Sequence, residues 1–220
     1  KKRDGGKEYT RDLGLETLAG VLDGDIKIQN HCYRADEMAL VLDMAKEFGY
    51  KVSTFHHAVE SYKIADLLRD NGVCSAVWAD WWGFKMEAYD AIPENAAILH
   101  NTGACVIIHS DDENQIQRLN QEAAKAQADG RRMGINISDA EVIKWLTHNP
   151  AKALGISDKT GSLKTGKMAD LVLWNGNPLS VYSRPEKVWI DGALMFDAKD
   201  PKRRPVSDFE LGQPGEGDTK

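Results

Sequence analysis

Four short stretches of this chain end in side chains that can bind a metal ion or move a proton: Gln29-Asn30-His31, Phe55-His56-His57, Ala79-Asp80 and Ser110-Asp111. Imidazole nitrogens joined by a carboxylate suit Zn²⁺ or a similar divalent ion, and such an ion lowers the pKa of bound water to about 7, which makes a nucleophile. A lone histidine at a strand end, as His31 would be, reads as a hydrogen-bonded structural residue. Its recurrence at the same point of successive units gives it weight. His56 and His57 are adjacent in an extended run, so alternation sends them to opposite faces: one enters the interior and the other meets helices. Val52, Thr54 and His56 on one side, and Ser53, Phe55 and His57 on the other, both mix polar and apolar residues. Spacing alone leaves the choice open.

The elements that carry these residues alternate. Leu13, Leu15, Leu18, Val21 and Leu22 predict a helix that stops at Asp23-Gly24-Asp25, and Ile26 to Asn30 predicts a strand ending at His31. Asp36 to Phe48 reads as an amphipathic helix closed by Gly49, and Val52 to Phe55 as the next strand. A helix over Tyr62 to Asp70, a strand over Val73 to Trp78, a helix from Pro93 to Asn101 and a strand over Cys105 to His109 follow. Strands separated by helices of this length imply parallel βαβ units, whose active residues gather at the carboxyl ends of the strands. Two more helices are expected at 116–131 and 138–148, the second ended by Asn149-Pro150 because the residue before proline avoids the α region. Beyond them come Gly-rich turns and short β-runs at 169–174, 188–190 and 193–196, then a tail at 201–220 expected to be extended or disordered.

With 28 basic against 34 acidic side chains and a net charge of −6, the 220-residue chain has no basic field for nucleic acid. Hydrophobic residues at 42% and charged ones at 28% exclude a disordered chain or a coiled coil. No apolar run approaches the roughly 18 to 20 residues needed to cross a bilayer. Cys32, Cys74 and Cys105 are odd in number and widely spaced, and each reads as a small buried hydrophobe rather than half of a disulfide. Compartment is not legible.

Five runs, taken in order, resemble the amidohydrolase superfamily and its imidazolonepropionase-like and prolidase-like branch: 28–37 (IQNHCYRADE), 54–63 (TFHHAVESYK), 108–111 (IHSD), 147–155 (THNPAKALG) and 161–172 (GSLKTGKMADLV). The resemblance implies the C-terminal half of a (β/α)8 TIM-type barrel over 1–155 and a small β-sandwich-like domain over 156–200. It implies that His31, His57 and Asp111 are metal ligands, with His57, not His56, at the position the family motif keeps. Asp111 and His57 are then also catalytic. Asp111 takes a proton from activated water and passes one to the leaving nitrogen, while His57 holds a second ion or polarises the carbonyl. The implied reaction is metal-dependent hydrolysis of a C–N bond in a small amide, cyclic amide or dipeptide-like substrate, with one or two ions, zinc first. A catalytically silent scaffold, or a lyase or isomerase on the same barrel, is the competing reading, because fold does not fix function.

Loops at this end of a barrel form the pocket, so Tyr33, Arg34, Trp81, Trp82 and Lys85 are the candidate substrate contacts, with Arg34 suited to a carboxylate. His100 and His148, on predicted helices, read as structural, and His109 shares a face with Asp111. Only four βα units and no His-x-His pair occur, so the expectation is a half-barrel that needs its N-terminal half, in the same or a companion chain, to close its open strand edge. A homo-oligomer is compatible with this, and a membrane partner is not.

Overall fold

The computed structural model of this chain describes residues 10–203. The first nine residues and most of the tail expected to be extended, from 204 on, lie outside that range. Four parallel strands, β1 (Ile28–Cys32), β2 (Val52–His57), β3 (Cys74–Val77) and β4 (Cys105–Ile108), pair in sequence order. They alternate with helices α1 (Leu13–Leu22), α2 (Ala35–Phe48), α3 (Ala65–Asp70) and α4 (Asn95–Thr102), as the periodicity predicts. Leu13, Leu15, Leu18 and Leu22 of α1 are all exposed and no residue of that helix is buried. The other helices cover one face of the sheet. Met38, Leu42, Leu68, Leu99 and Ala123 there enclose Phe55, Val77, Val106 and Ile108. Gly130 lets α5 (Leu119–Arg132) close on α4, because a Cβ at that position would lie 2.6 Å from the Ala97 Cβ.

The register places Gln29, Thr54, Cys74 and Cys105 in one row on the opposite face, and His31, His56, Ala76 and Ile107 in the next. Facing cysteines on adjacent strands are close enough to bond, and Cys74 and Cys105 form a disulfide. The expectation of three separate thiols holds only for Cys32, which is buried and free, with its thiol pushed up to about 11 mainly by that burial. Sequence spacing hid the pair because a separation of 31 in sequence, through loop and helix, lies between two positions that the parallel register brings side by side.

A second correction concerns 138–154. The pattern predicts one helix ending at Asn149-Pro150, whereas α6 (Asp139–Lys144) stops at Lys144 and a separate helix, α7 (His148–Leu154), begins with that segment. Proline is tolerated in the first turn of a helix, where its missing N–H would have no partner. The break places α6 and α7 along the outer edge of β4. The Asn149 side chain donates to the Val106 carbonyl at 2.7 Å, and the Ile108 N–H donates to the Trp145 carbonyl at 3.3 Å. The β4 edge is thus partly paired.

Strands β5 (Leu171–Trp174), β6 (Pro185–Ile190) and β7 (Ala193–Asp197) form an antiparallel meander. Among the described residues this is one three-stranded layer, not the two of a sandwich. It is tied to the helical half by Asn177 donating to Asp139 at 2.7 Å and by Leu179 in the main core. Among the described residues no helix is long and apolar enough to cross a membrane.

Candidate functional site

The carboxyl ends of β1 to β4 bring four imidazoles together. His31 Nδ1 and His57 Nε2 are 2.8 Å apart, and the His31 ring packs face to face on His56 with centroids at 5.2 Å. His109 lies 5.4 Å from His57 and 6.1 Å from His56, ring to ring. Both members of the adjacent pair therefore face the same space, and the expectation that one would turn to the helices is overturned. The reason is the backbone. Ser53 is skipped where the β1–β2 register shifts, and His57 has φ +70°, so strict alternation fails twice within β2. His56 keeps the face of His31, while the left-handed turn swings His57 back onto it.

A left-handed histidine followed by a left-handed alanine, Ala58 at φ +41°, is costly unless its surroundings over-determine it. The buried Asn95 amide donates to the carbonyls of Ala58 at 3.0 Å and Val59 at 3.3 Å, and Ser61 Oγ donates to Asn95 Oδ1. The Ala58 N–H donates to the Cys32 carbonyl at 2.9 Å. Asp111, at the end of β4, is also left-handed at φ +51°. Its Oδ2 lies 3.9 Å from His57 Nδ1, too far for a hydrogen bond.

Aromatic rings wall the imidazoles. The Tyr33 ring stacks on His57 at 4.7 Å and Trp78 stacks on it at 4.6 Å. Trp78 also stacks on His109 at 5.0 Å and Trp81 at 5.7 Å, meets Phe84 edge-on, and donates from Nε1 to the Ser110 carbonyl at 2.8 Å. Trp78, which the sequence pattern places in the strand, is the first residue after β3 and stands at the same end of the sheet as His31 and Asp111. The Lys85 ammonium sits 3.9 Å over the Tyr33 ring and within its hydrogen-bonding reach, which raises the Lys85 pKa. Tyr33, Trp81 and Lys85 are thus gathered with His31, His57 and Asp111. Arg34 is not: both arms of its guanidinium bond the Asp36 carboxylate, at 3.0 and 3.1 Å. Trp82 is half exposed, and Asp80 pairs with Lys125 at 2.7 Å. His100 packs edge-on to Trp145 and His148 starts α7, both away from the cluster.

Burial drives His56, His57 and His109 toward their neutral forms. It pushes His57 down to about 4 against the pull of Asp111, with His31, His56 and Lys85 adding to the fall. His109 is pushed down to about 3 by burial and then by the neighbouring imidazoles, and His56 is lowered chiefly by burial. Neutral imidazole is the form that binds metals. Two ring nitrogens 2.8 Å apart repel through their lone pairs unless a proton or a cation lies between them, and the buried His57 Nδ1 has no hydrogen-bond partner. The donor chemistry of His31, His57 and Asp111 fits a divalent ion on these grounds. By themselves the described residues do not enclose one, since no three His, Cys, Asp or Glu side chains among them form a metal-holding group.

Comparison with known proteins agrees with this architecture. The family model for the amidohydrolase family matches residues 16–204. The amidohydrolase tasK of Hapsidospora irregularis is 32% identical over 191 residues, covering 84% of this chain and 19% of that protein. The crystal structure of an amidohydrolase from Thermotoga maritima MSB8 superposes with a TM-score of 0.76 at 33% identity, covering 88% of this chain and 49% of that one. An adenosine deaminase from Xanthomonas campestris, solved with bound zinc, shares the fold at a TM-score of 0.64 and 18% identity, over 90% of this chain and 51% of that one. The chain thus spans about half the length of the solved relatives and about a fifth of the curated one. A match over 189 residues, running the length of both sheets, assigns the chain to the amidohydrolase family.

Proposed function

We propose that this chain carries the C-terminal part of the active site of a divalent-metal-dependent hydrolase that cleaves C–N bonds in small amides. The observation that carries the reading is the meeting of His31 and His57 nitrogens at 2.8 Å beside Asp111, at the carboxyl ends of parallel strands. Two of those three residues sit on left-handed backbone that no tight hairpin requires. The zinc present in the deaminase of the same fold makes zinc the first candidate, as one ion or two. His31, His57 and Asp111 would hold it, and its chemistry there is to acidify water and polarise a carbonyl.

Asp111, half exposed and free to turn, takes the proton from the attacking water and delivers one to the leaving nitrogen. Neutral His57 is a ligand where two ions are held and polarises the carbonyl where there is one. Tyr33, Trp78 and Trp81 form an apolar wall for the substrate body, and Lys85 is the cation at the mouth, because the charge of Arg34 is spent on Asp36. Further βα units, from the same polypeptide or a companion chain, complete the barrel around the outer edge of β1 and supply the remaining ligands. The region 156–200 acts as a small β-domain beside it.

The test is Asp111→Asn in the complete gene product, assayed on a panel of neutral, anionic and cyclic amides with metal content measured in parallel. Turnover should fall by about 10²-fold or more, the usual scale for losing a general acid or base. Turnover near that of the unaltered protein would remove Asp111 from the mechanism. A metal-free protein that releases no amine from any amide would leave a binding scaffold.

A further inference from the structure

The floor beneath the imidazole cluster contains a hydrogen-bonded series whose direction is fixed at its lower end. The carbonyl of Ala153, in the last turn of α7, is one of the helix acceptors without an intrahelical partner. Gln29 Nε2 lies 3.1 Å from that oxygen, and Ser53 Oγ donates to it as well. A carbonyl can only accept, so the end of the Gln29 amide that faces it must be the NH₂ group. The opposite end is then oxygen, and it lies 2.9 Å from His56 Nε2. Nε2 must therefore carry a proton, and in the neutral ring the lone pair is on Nδ1. The reverse orientation of the amide would set oxygen against oxygen at Ala153 and lose the bond there.

His56 does not end the series. Its ring lies within 15° of parallel to that of His31 at 5.2 Å, and His31 in turn directs Nδ1 at His57. Capping α7 would need only Gln29 and Ser53. It gives no reason for a histidine at 56, partly buried on the face that His31 shares. We propose that Gln29 and His56 are positioning residues for His31. The oriented amide holds His56 as the Nε2–H tautomer with its ring against His31, and so sets the plane in which His31 presents Nδ1. Partners one shell out from a metal commonly shift its affinity by about 10- to 100-fold, and this pair would act at that distance.

The inference rests on His31 being a ligand, yet its first test does not. Nitrogen NMR of the imidazoles in the complete, metal-free protein should give His56 protonated on Nε2 and bare on Nδ1. An Nδ1–H tautomer overturns the proposal, whatever the protein binds. The second test titrates zinc into Gln29→Leu, His56→Phe and the double variant. Each single change should weaken zinc binding about tenfold. The double variant should be no weaker than either single one, since both act through the same ring. Losses that multiply, or a Gln29→Leu protein that keeps its zinc affinity within twofold while its melting temperature falls, would reduce Gln29 to a cap on α7. If the unaltered protein binds no zinc, the proposed function fails and the tautomer assignment still stands or falls on its own spectrum. That spectrum needs no variant, so it remains decisive if Leu at 29 prevents folding.

Discussion

Positive backbone φ occurs in both sheets of this protein and means different things in each. In the antiparallel sheet, Asp191 at +48° and Gly192 at +81° form the two-residue connection between β6 and β7. Such a turn requires both residues to be left-handed, and Asp-Gly is among the pairs that adopt it most readily. In the parallel sheet, His57 and Ala58 are left-handed at the end of β2, just before a 3-10 turn over Ser61–Ile64, and Asp111 is left-handed in the loop after β4; none of the three belongs to a two-residue hairpin. There the conformation re-aims side chains, and Asn95 holds it through two carbonyls. The burial of the two sheets differs in the same sense. Every residue of β3 is buried, while no residue of β5, β6 or β7 is. A packed core can keep an unfavourable backbone in place, and a layer lying on the surface can keep only favourable ones.

The largest expected difference between the two regions is in stability. Phe55, fully buried among the helices, should cost about 3–5 kcal/mol on truncation to Ala, because a cavity remains where the ring was. Val172 in β5 is 49% exposed, and Val172→Ala should cost less than about 1 kcal/mol. Denaturant unfolding of both variants checks this. Equal losses would mean that the antiparallel layer is covered in solution.

Next in size is the disulfide, which belongs to the parallel region alone. Cys74 and Cys105 close a segment of 31 residues that carries Trp78, Trp81, Lys85 and α4. Chain entropy for a loop of that length gives roughly 3–4 kcal/mol. Reductant should therefore lower the melting temperature of the unaltered protein and leave a Cys74→Ser, Cys105→Ser protein unchanged. Identical melting with and without reductant would exclude the bond.

What could be read in advance divides along the same line. Helices and strands were legible because periods of 3.6 and 2 recur, and α1 and α2 end where Asp23 and Gly49 predict. The convergence of His31, the 56–57 pair and Asp111 followed from parallel topology. The facing of His56 and His57 did not, because alternation assumes an unbroken extended strand, and β2 is broken at Ser53 and at His57. The role of Trp78 was not legible because its type suggests core, although it directly follows β3 at the carboxyl end of the sheet. The disulfide and the break before α7 depend on register and on packing against β4, which act over distances a local pattern does not contain.

The smallest expected effect separates the regions by pH. All six histidines precede residue 150, and none lies in the antiparallel layer. Burial lowers His57 to about 4 and His109 to about 3, and it lowers His56 and His100 as well. As the pH falls below 6.5, the unfolded chain takes up protons at these histidines and the folded one does not, so stability declines until the folded values are passed. The antiparallel layer depends instead on carboxylates. Asp170 is held low by the Asp191 N–H and then by Thr160, and Asp197 by the Lys199 N–H and then by Lys187. Their contribution is complete above the ordinary carboxylate value of about 3.9 and is lost only below it. Hydrogen exchange measured between pH 7 and 3 should therefore show β1–β4 losing protection first, through the range 6.5 to 4, with β5–β7 following only near the carboxylate range. His109→Phe keeps an aromatic ring against Trp78 and removes one titrating group, so the early loss should become shallower while the later one stays put. Loss of protection in both sheets at one pH, unmoved by His109→Phe, would mean that the buried imidazoles do not control the acid limb.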